Sequence, residues 1–116
     1  MDRRIQVIVA RLERRVSERM DISELAREVN LSASRLRHLF KTETGKTPTQ
    51  YLKQLRMRRA EVLLRTSFLS VKEIINRVGM TNSSNFVREF RKIYAVAPTV
   101  YRRSVVQGSP SKSRRQ

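Results

Sequence analysis

The sequence predicts an all-α protein in which two tandem three-helix helix-turn-helix units are joined by a long central helix. Its 116 residues include only three glycines and three prolines, too few for the many turns of a sheet protein. Apolar residues recur at helical spacing, as in the series Ile5, Ile8, Leu12 and Val16. The same arrangement of apolar and capping residues then recurs about 50 residues later.

Four helices are predicted in the first half of the chain, each begun by a capping residue. They cover about 3–19, 22–30, 33–44 and 48–65, and their N-caps are Asp2, Asp21, Ser32 and Thr47. Asp21 and Glu24 form the pattern of a capping box. Asn30 and Gly45 tolerate the left-handed conformation that often ends a helix. Pro48 suits a first helical position, because no N–H is needed there.

The second half predicts three further helices. Ser70 and Glu73 form a second capping box, and Gly79 ends the short helix that follows. Thr81 is predicted to cap a helix with three residues turned inward, and Pro98 opens a last short helix. The inward residues are Phe86, Phe90 and Ile93. Residues 104–116 have no apolar periodicity and are predicted to form a disordered basic tail.

The repeat itself defines the two units. Leu25, Val29 and Leu31 match Ile74, Val78 and Met80 after 49 residues, and Pro48–Tyr51 matches Pro98–Tyr101 after 50. Each unit has a short helix, a short turn and a second helix, as in a helix-turn-helix motif. The predicted organisation is therefore a first motif at about 22–43, a linker helix at about 48–65 and a second motif at about 70–93.

The charge indicates the class of partner. Lys and Arg total 26 against 10 Asp and Glu, which gives a net charge of +16. An excess of this size favours a polyanion, namely DNA, RNA or an anionic membrane surface. The absence of cysteine excludes disulfides and cysteine zinc sites, and one histidine excludes a histidine-rich metal site. No apolar run approaches the length of a membrane span. We therefore expect a cytoplasmic protein with no cofactor, no metal and no membrane partner.

The second helix of the first motif carries the candidate contacts to DNA. They are Ser34, Arg35, Arg37, His38 and Lys41. Four of them follow i, i+3, i+4, i+7 spacing opposite the apolar residues. Arg37 can hydrogen-bond guanine O6 and N7, whereas Ser34 and His38 suit base edges and Lys41 suits a phosphate. The alternative interpretation is an ordinary solvated helix face.

The equivalent candidates in the second motif are found 50 residues later. They are Ser84, Val87, Arg88 and Arg91, and the candidates Ser83 and Asn85 lie beside them. Asn85 can pair with adenine, and Arg88 can reach a base or a phosphate. Val87 stands where the first motif has Arg37, and it can meet a thymine methyl group or contribute packing. The second helix is therefore predicted to read bases more weakly than the first.

These motifs together resemble the DNA-binding domain of AraC/XylS-type transcriptional regulators over residues 5–103. The resemblance rests on short stretches in both halves, namely Ser23–Ala26, Leu31–Ser32, Phe40–Lys41, Gly45–Pro48, Val78–Gly79, Asn85–Phe86, Phe90–Arg91 and Pro98–Arg102. It implies a bacterial transcription factor, usually an activator, acting at the nucleoid on double-stranded DNA and with RNA polymerase as a further partner. Most members of that family carry a separate effector-binding or dimerisation domain, so this sequence is expected to be either a stand-alone regulator or a domain excised from a longer one. Ile75, Met80 and Ala95 depart from the family's usual alanine, aromatic residue and glycine.

Two other classes of function compete with this interpretation. An enzyme is disfavoured because Asp21, Glu24 and Glu73 serve in capping boxes, which leaves no convincing catalytic group. A nonspecific architectural protein that binds DNA or RNA would explain the charge alone, but it would not need two matching motifs. The arginines of the linker helix, Arg56, Arg58, Arg59 and Arg65, are expected to form a solvated face or to pair with Glu61.

Overall fold

A computed structural model describes residues 1–106, and every regular element within them is helical. The prediction of an all-α fold is therefore confirmed. The seven helices are α1 (Arg3–Arg14), α2 (Ile22–Glu28), α3 (Ala33–Thr44), α4 (Pro48–Thr66), α5 (Val71–Arg77), α6 (Ser83–Tyr94) and α7 (Pro98–Val106). None of these helices is long and apolar enough to cross a membrane.

The chain divides into two compact units, with the division between Arg56 and Met57 in α4. In the first unit, helices α1, α2 and α3 enclose a core of seven buried residues. These are Ile5, Ile8, Leu12, Leu25, Ala26, Leu36 and Phe40. Tyr51 and Leu55 from the start of α4 pack against this core, and the Tyr51 ring meets Phe40 edge-on at 5.4 Å. The early part of α4 therefore completes the first unit.

The second unit repeats this plan around its own core. Its buried residues are Met57, Ala60, Leu64, Ile74, Ile75, Val78, Phe86 and Phe90. The later part of α4 supplies the first three, with the same three- and four-residue spacing that Ile5, Ile8 and Leu12 have in α1. The Tyr101 ring of α7 meets Phe90 edge-on at 5.4 Å, as Tyr51 meets Phe40. The structural repeat thus includes the helices on both sides of each motif.

Local capping sets most of the helix ends. The Ser32 hydroxyl accepts from the Arg35 N–H at 3.1 Å, and Ser70 and Glu73 form the complete predicted capping box. Thr47 and Gln50 also cap α4 reciprocally, at 3.1 and 3.0 Å. At α2 the structure has the Asp21 half of the predicted box, with the carboxylate accepting from Ser23 N and Glu24 N.

Three predicted boundaries are wrong. Helix α1 ends at Arg14 and not Arg19, because the chain turns at Arg15 and Val16 reaches the interior from the following loop. The N-cap of α6 is Asn82 and not Thr81, since the Asn82 side chain accepts from Asn85 N at 2.8 Å. Residues 104–106, assigned to the disordered tail, continue α7 to Val106. The rest of that predicted tail, 107–116, lies outside the described residues.

Two predictions about individual residues also have clear outcomes. Asn30 does adopt a left-handed conformation, with φ of 59°. Ile93, predicted to face inward, is 52% exposed, and Tyr94 packs on the core beside it. The difference arises because Tyr94 follows Phe90 by four residues and stacks on it with ring centroids 4.5 Å apart.

Left-handed residues end α3 and α6 at equivalent positions. Gly45 has φ of 81° and Ala95 has φ of 73°. Each donates its N–H to the carbonyl four residues earlier, that of Lys41 at 2.8 Å and that of Arg91 at 2.9 Å. Glycine adopts this conformation without steric cost, whereas alanine does not. The second unit therefore keeps the backbone geometry of the first with a residue that is strained in it.

Candidate nucleic-acid interface

Helix α3 is anchored by one face and presents the other to solvent. Leu36 and Phe40 are 0% exposed in the first core. Side chains on the opposite face are exposed, and four of them line a single shallow groove. These four are Ser34, Arg37, His38 and Lys41, joined in the groove by Thr42 and Thr47. Arg35 is exposed as well. The structure thus brings together the predicted contacts of the first motif on the outside of α3.

The turn before α3 is held by backbone hydrogen bonds. Leu31 N donates to Ala26 O at 2.9 Å, and Asn30 N donates to Arg27 O at 3.1 Å. Leu31 and Val29 also pack against the first core. These contacts fix the direction in which α3 leaves α2, so the polar face is positioned by the core and not by a mobile loop.

Helix α6 repeats this arrangement with one difference. Phe86 and Phe90 anchor it, and Ser84, Arg88 and Arg91 line a shallow groove on the outer side with Lys92. Ser83 is exposed and Asn85 is half-buried. Val87 lines the groove but is also half-buried and packs against the second core. The structure therefore supports the packing role for Val87, while part of its surface remains accessible from outside.

The basic side chains of the two faces have no acidic partners within the described chain. Arg35, Arg37, Lys41, Arg88 and Arg91 form no ion pair with an Asp or Glu in residues 1–106. No acidic side chain in residues 1–106 therefore neutralises their charges. Unpaired cations on an exposed helix face suit an external polyanion, because no internal salt bridge must first be broken.

The arginines of α4 divide into structural and exposed groups. Arg56 donates to the carbonyls of Val16 and Glu18, both at 2.8 Å, and its partial burial lowers its pKa. Arg65 pairs with Glu61, so that part of the prediction is confirmed, whereas Arg58 and Arg59 are exposed. Arg56 is thus a tertiary clamp, which the sequence analysis did not identify.

A polar network joins α4 to α7 within the second unit. Arg65 donates to both carboxylate oxygens of Glu61, and the Tyr101 hydroxyl donates to Glu61 Oε2 at 2.5 Å. The hydrogen bond from Arg65, together with that from Tyr101, lowers the pKa of Glu61. Burial and the hydrogen bond to Glu61 raise the pKa of Tyr101 to about 12. These contacts stabilise the α7 side of the second unit.

Arg102 is a second clamp that the sequence analysis missed. Its guanidinium donates to Leu64 O at 3.0 Å and to Ser67 O at 3.4 Å, near the carboxyl end of α4. A cation there also interacts favourably with the helix dipole. The sequence signal was weak, because the acceptors are backbone carbonyls more than 30 residues away.

The outer faces of α3 and α6 offer hydrogen-bond donors and positive charge, but no set of metal-ligating side chains in the described residues. Within residues 1–106, no group of three or more His, Asp or Glu side chains comes close enough together to hold a metal ion. What the arrangement can do chemically is bind the edges of bases and the phosphates of a duplex.

The comparisons with known proteins agree with this geometry. A family model described as a helix-turn-helix domain matches residues 25–104. The transcriptional activator RhaR of Mannheimia succiniciproducens is 33% identical over 99 residues, which are 85% of this chain and 36% of RhaR. The chain belongs to the AraC-type helix-turn-helix family. It spans about a third of the length of the curated relatives it matches.

Solved structures of this family share the fold. The C-terminal domain of the response regulator yesN from Fusobacterium nucleatum is 34% identical, with a TM-score of 0.70, over 84% of this chain and 93% of that domain. The DNA-binding domain of AdpA, solved in complex with a target DNA, is 29% identical, with a TM-score of 0.79, over 86% and 90%. The AraC-type family and these relatives are DNA-binding transcription regulators and not enzymes.

Proposed function

We propose that this AraC-type domain binds a specific duplex sequence as a monomer and regulates bacterial transcription, in the direction of activation. In the proposed complex α3 and α6 enter successive major grooves. The observation that carries the proposal is the pair of exposed polar faces, each on the helix that follows a helix-turn-helix turn. The AdpA domain in complex with a target DNA and the activator name of RhaR support it.

The first recognition face is proposed to supply the sharper base contacts. Arg37 hydrogen-bonds guanine, Ser34 and His38 meet base edges, and Arg35 and Lys41 meet phosphates. In α6 the reading residues are Asn85 and Arg88, with Ser83, Ser84 and Arg91 at phosphates. Val87 meets a thymine methyl group with the part of its surface that the core leaves accessible.

The test begins with a selection of binding sites from random duplexes. Arg37→Ala is expected to cost about 1–3 kcal/mol on the selected site and to relax the preference at one base pair. Arg14→Ala is the matched control, because it removes the same charge from an exposed position on α1. Equal losses on selected and random duplexes would make Arg37 a phosphate contact and refute its assigned role.

A competition assay separates specific from architectural binding. A sequence-specific domain retains its selected site in a large excess of random duplex, whereas an architectural protein that binds DNA or RNA by charge does not. Loss of the selected site at a modest excess of competitor would favour the architectural alternative and refute the proposal.

The geometry of the complex has its own test. Two motifs on one chain are related by a repeat, so one molecule should protect an asymmetric site of about 20 base pairs. Successive major grooves on one face lie about 34 Å apart, and slight bending of the duplex would help to seat both helices. Inserting five base pairs between the half-sites should reduce binding to the level of one motif. Two molecules on a palindrome, or indifference to the insertion, would refute the monomer model.

RNA polymerase and an effector-binding or dimerisation domain are the proposed further partners. The further domain is proposed from the length of the curated relatives, which are about three times as long as the matched region, and RNA polymerase is proposed from the activator name of RhaR. Transcription from a promoter with the selected site, measured with purified polymerase, tests for activation. Unchanged or lowered transcript would refute activation without affecting the DNA-binding proposal.

A further inference from the structure

An apolar surface in the second unit has no role in the proposed DNA complex. Phe68, between α4 and α5, is fully exposed, and Val106 at the end of α7 is 64% exposed. We call the shallow groove that they share the Phe68 patch. Its other lining residues are Arg65, Thr66, Ser67, Thr99, Arg102 and Arg103. Covering a phenylalanine ring and a valine side chain that line the same groove would remove apolar area from water, which favours binding of another molecule there.

The first unit has no such ring exposed at the equivalent place. Val16 follows Leu12 by four residues, as Phe68 follows Leu64, yet Val16 is only 4% exposed. The loop after α1 has seven residues, 15–21, whereas the loop after α4 has four, 67–70. The longer loop turns Val16 inward, and the shorter loop leaves Phe68 outside. The exposed ring is therefore specific to the second unit and is not a consequence of the repeated fold.

The lining of the Phe68 patch indicates the charge of its occupant. Three of its eight lining residues are arginines, and none of those eight is acidic. The nearby Glu61 carboxylate and Arg65 pair with each other, so Arg102 and Arg103 supply the net positive charge of the patch. Arg103 is exposed and forms no ion pair with an acidic residue of the described chain. The surroundings of the apolar centre therefore favour anionic groups.

Neither residues 107–116 nor a second copy of this chain offers the combination of apolar and anionic groups that would match the patch. Residues 107–116 contain no large apolar side chain and include Lys112, Arg114 and Arg115. A second copy carries a net charge of +16 and would be repelled. Duplex DNA presents phosphates at its surface, whereas its apolar groups, the thymine methyl groups and the base faces, lie within the grooves and the base stack. A protein segment with both acidic and apolar side chains satisfies both features.

We propose that the Phe68 patch docks an acidic amphipathic segment of a partner protein. Apolar side chains of the segment pack on Phe68 and Val106, and its carboxylates pair with Arg103 and the free edge of Arg102. This contact uses a surface other than the outer faces of α3 and α6. The Phe68 patch shares no lining residue with the grooves on those two faces, so the segment and DNA do not compete for the same side chains.

The test is a selection of short random peptides displayed on phage against the full chain. Random-sequence duplex is present in excess at physiological salt, so that acidic peptides do not collect on the DNA-binding faces. The enriched peptides are expected to combine carboxylates with a pair of large apolar residues. Their amide shift changes on the labelled protein should centre on residues 65–68 and 99–106.

Two matched variants decide the assignment. Phe68→Ser should weaken the enriched peptides by about tenfold or more, because the main apolar contact is lost. Val7→Ser, which changes another exposed apolar residue in the first unit, should leave them unchanged. Both side chains lie at the surface, so the helical content of the two variants should equal that of the parent chain.

Three outcomes would overturn the proposal. The first is a selection that enriches no peptide sensitive to Phe68→Ser. The second is shift changes centred on α3 and α6, which would show that the peptides act as DNA mimics. The third is a loss of duplex binding in Phe68→Ser, which would assign the patch to DNA. Only this last result bears on DNA binding, so the proposal and the proposed function can fail separately.

Discussion

Replacing Ala95 by glycine should stabilise the domain, which is unusual for a substitution that removes a methyl group. Ala95 is exposed and holds φ of 73° at the end of α6. A non-glycine residue in this conformation costs about 1–2 kcal/mol. Replacement by glycine loses about 0.4–1 kcal/mol of that advantage, because glycine has greater conformational freedom in the unfolded chain. The net gain expected for Ala95→Gly is therefore about 0.5–1 kcal/mol, or about 2–5 °C in Tm.

The first unit supplies the reverse experiment. Gly45 holds φ of 81° at the equivalent position, and a Cβ added there would meet no atom within 4 Å. Gly45→Ala therefore tests the backbone conformation alone, and it should destabilise the domain by about 0.5–1 kcal/mol. Ala10→Gly in the middle of α1 is the second control. It should destabilise the chain by about 1 kcal/mol, because glycine is unfavourable within a helix.

The assay is urea unfolding of the three variants and the parent, followed by circular dichroism. A change in the midpoint with an unchanged slope reports stability directly. The reasoning fails if Ala95→Gly lowers stability as Ala10→Gly does, because Ala95 would then be unstrained. It also fails if Gly45→Ala is neutral, since the left-handed position would then carry no cost.

Three further outcomes are expected. Arg102→Ala should destabilise the chain by about 1–3 kcal/mol in urea unfolding, because it removes two charge-assisted hydrogen bonds, whereas Arg103→Ala should change it by less than about 0.5 kcal/mol. Stability should fall at both pH extremes. The hydrogen bond from Arg65, and to a smaller extent that from Tyr101, lowers the pKa of Glu61 below its ordinary 4.5. The stabilisation from Glu61 is therefore present above pH 4.5 and is lost as the pH falls through the lowered pKa. The pKa of Tyr101 is raised from 10 to about 12, so its contribution is present below pH 10 and is lost as the pH rises toward 12; Tyr101→Phe should abolish this alkaline loss, and persistence of the loss would contradict the assignment. In sites selected from random duplexes, the half bound by the second motif should carry less sequence information, and equal information in both halves would contradict this.

The helix beginnings were largely predictable because capping is local. Ser32, Thr47 and Ser70 each bond a backbone N–H only three residues ahead, so the sequence contains both partners. The N-cap of α6 was missed because Thr81 and Asn82 are both good caps. The second motif has one more residue than the first, because the repeat offset changes from 49 to 50 in the turn before α6. The apolar pattern does not show at which position of that turn the extra residue lies. Asn82 lies 50 positions after Ser32, the N-cap of α3, so the two N-caps have the same offset as the helices that they begin.

The ends and clamps were less predictable because they depend on distant residues. Val16 continues the apolar spacing of α1, and that spacing cannot distinguish a helical residue from a loop residue that turns inward. Arg56 and Arg102 donate hydrogen bonds to backbone carbonyls about 40 residues away, and every residue has such a carbonyl. The residues next to such an arginine in the sequence therefore do not indicate which carbonyl it contacts or how far it is buried.

The candidate site was easier to predict than the helix ends because a helix face is determined by spacing alone. Once Leu36 and Phe40 are assigned to the core, Ser34 and His38 must lie on the opposite side, and Arg37 and Lys41 lie at the edges of that outer face. The burial of Val87 was not determined in this way, because its position in α6 matches that of Arg37 in α3. The second core reaches Val87 and half-buries it, while Arg37 stays exposed. The expected difference in base reading between the two motifs therefore arises from packing inside the second unit as much as from the residue type at its surface.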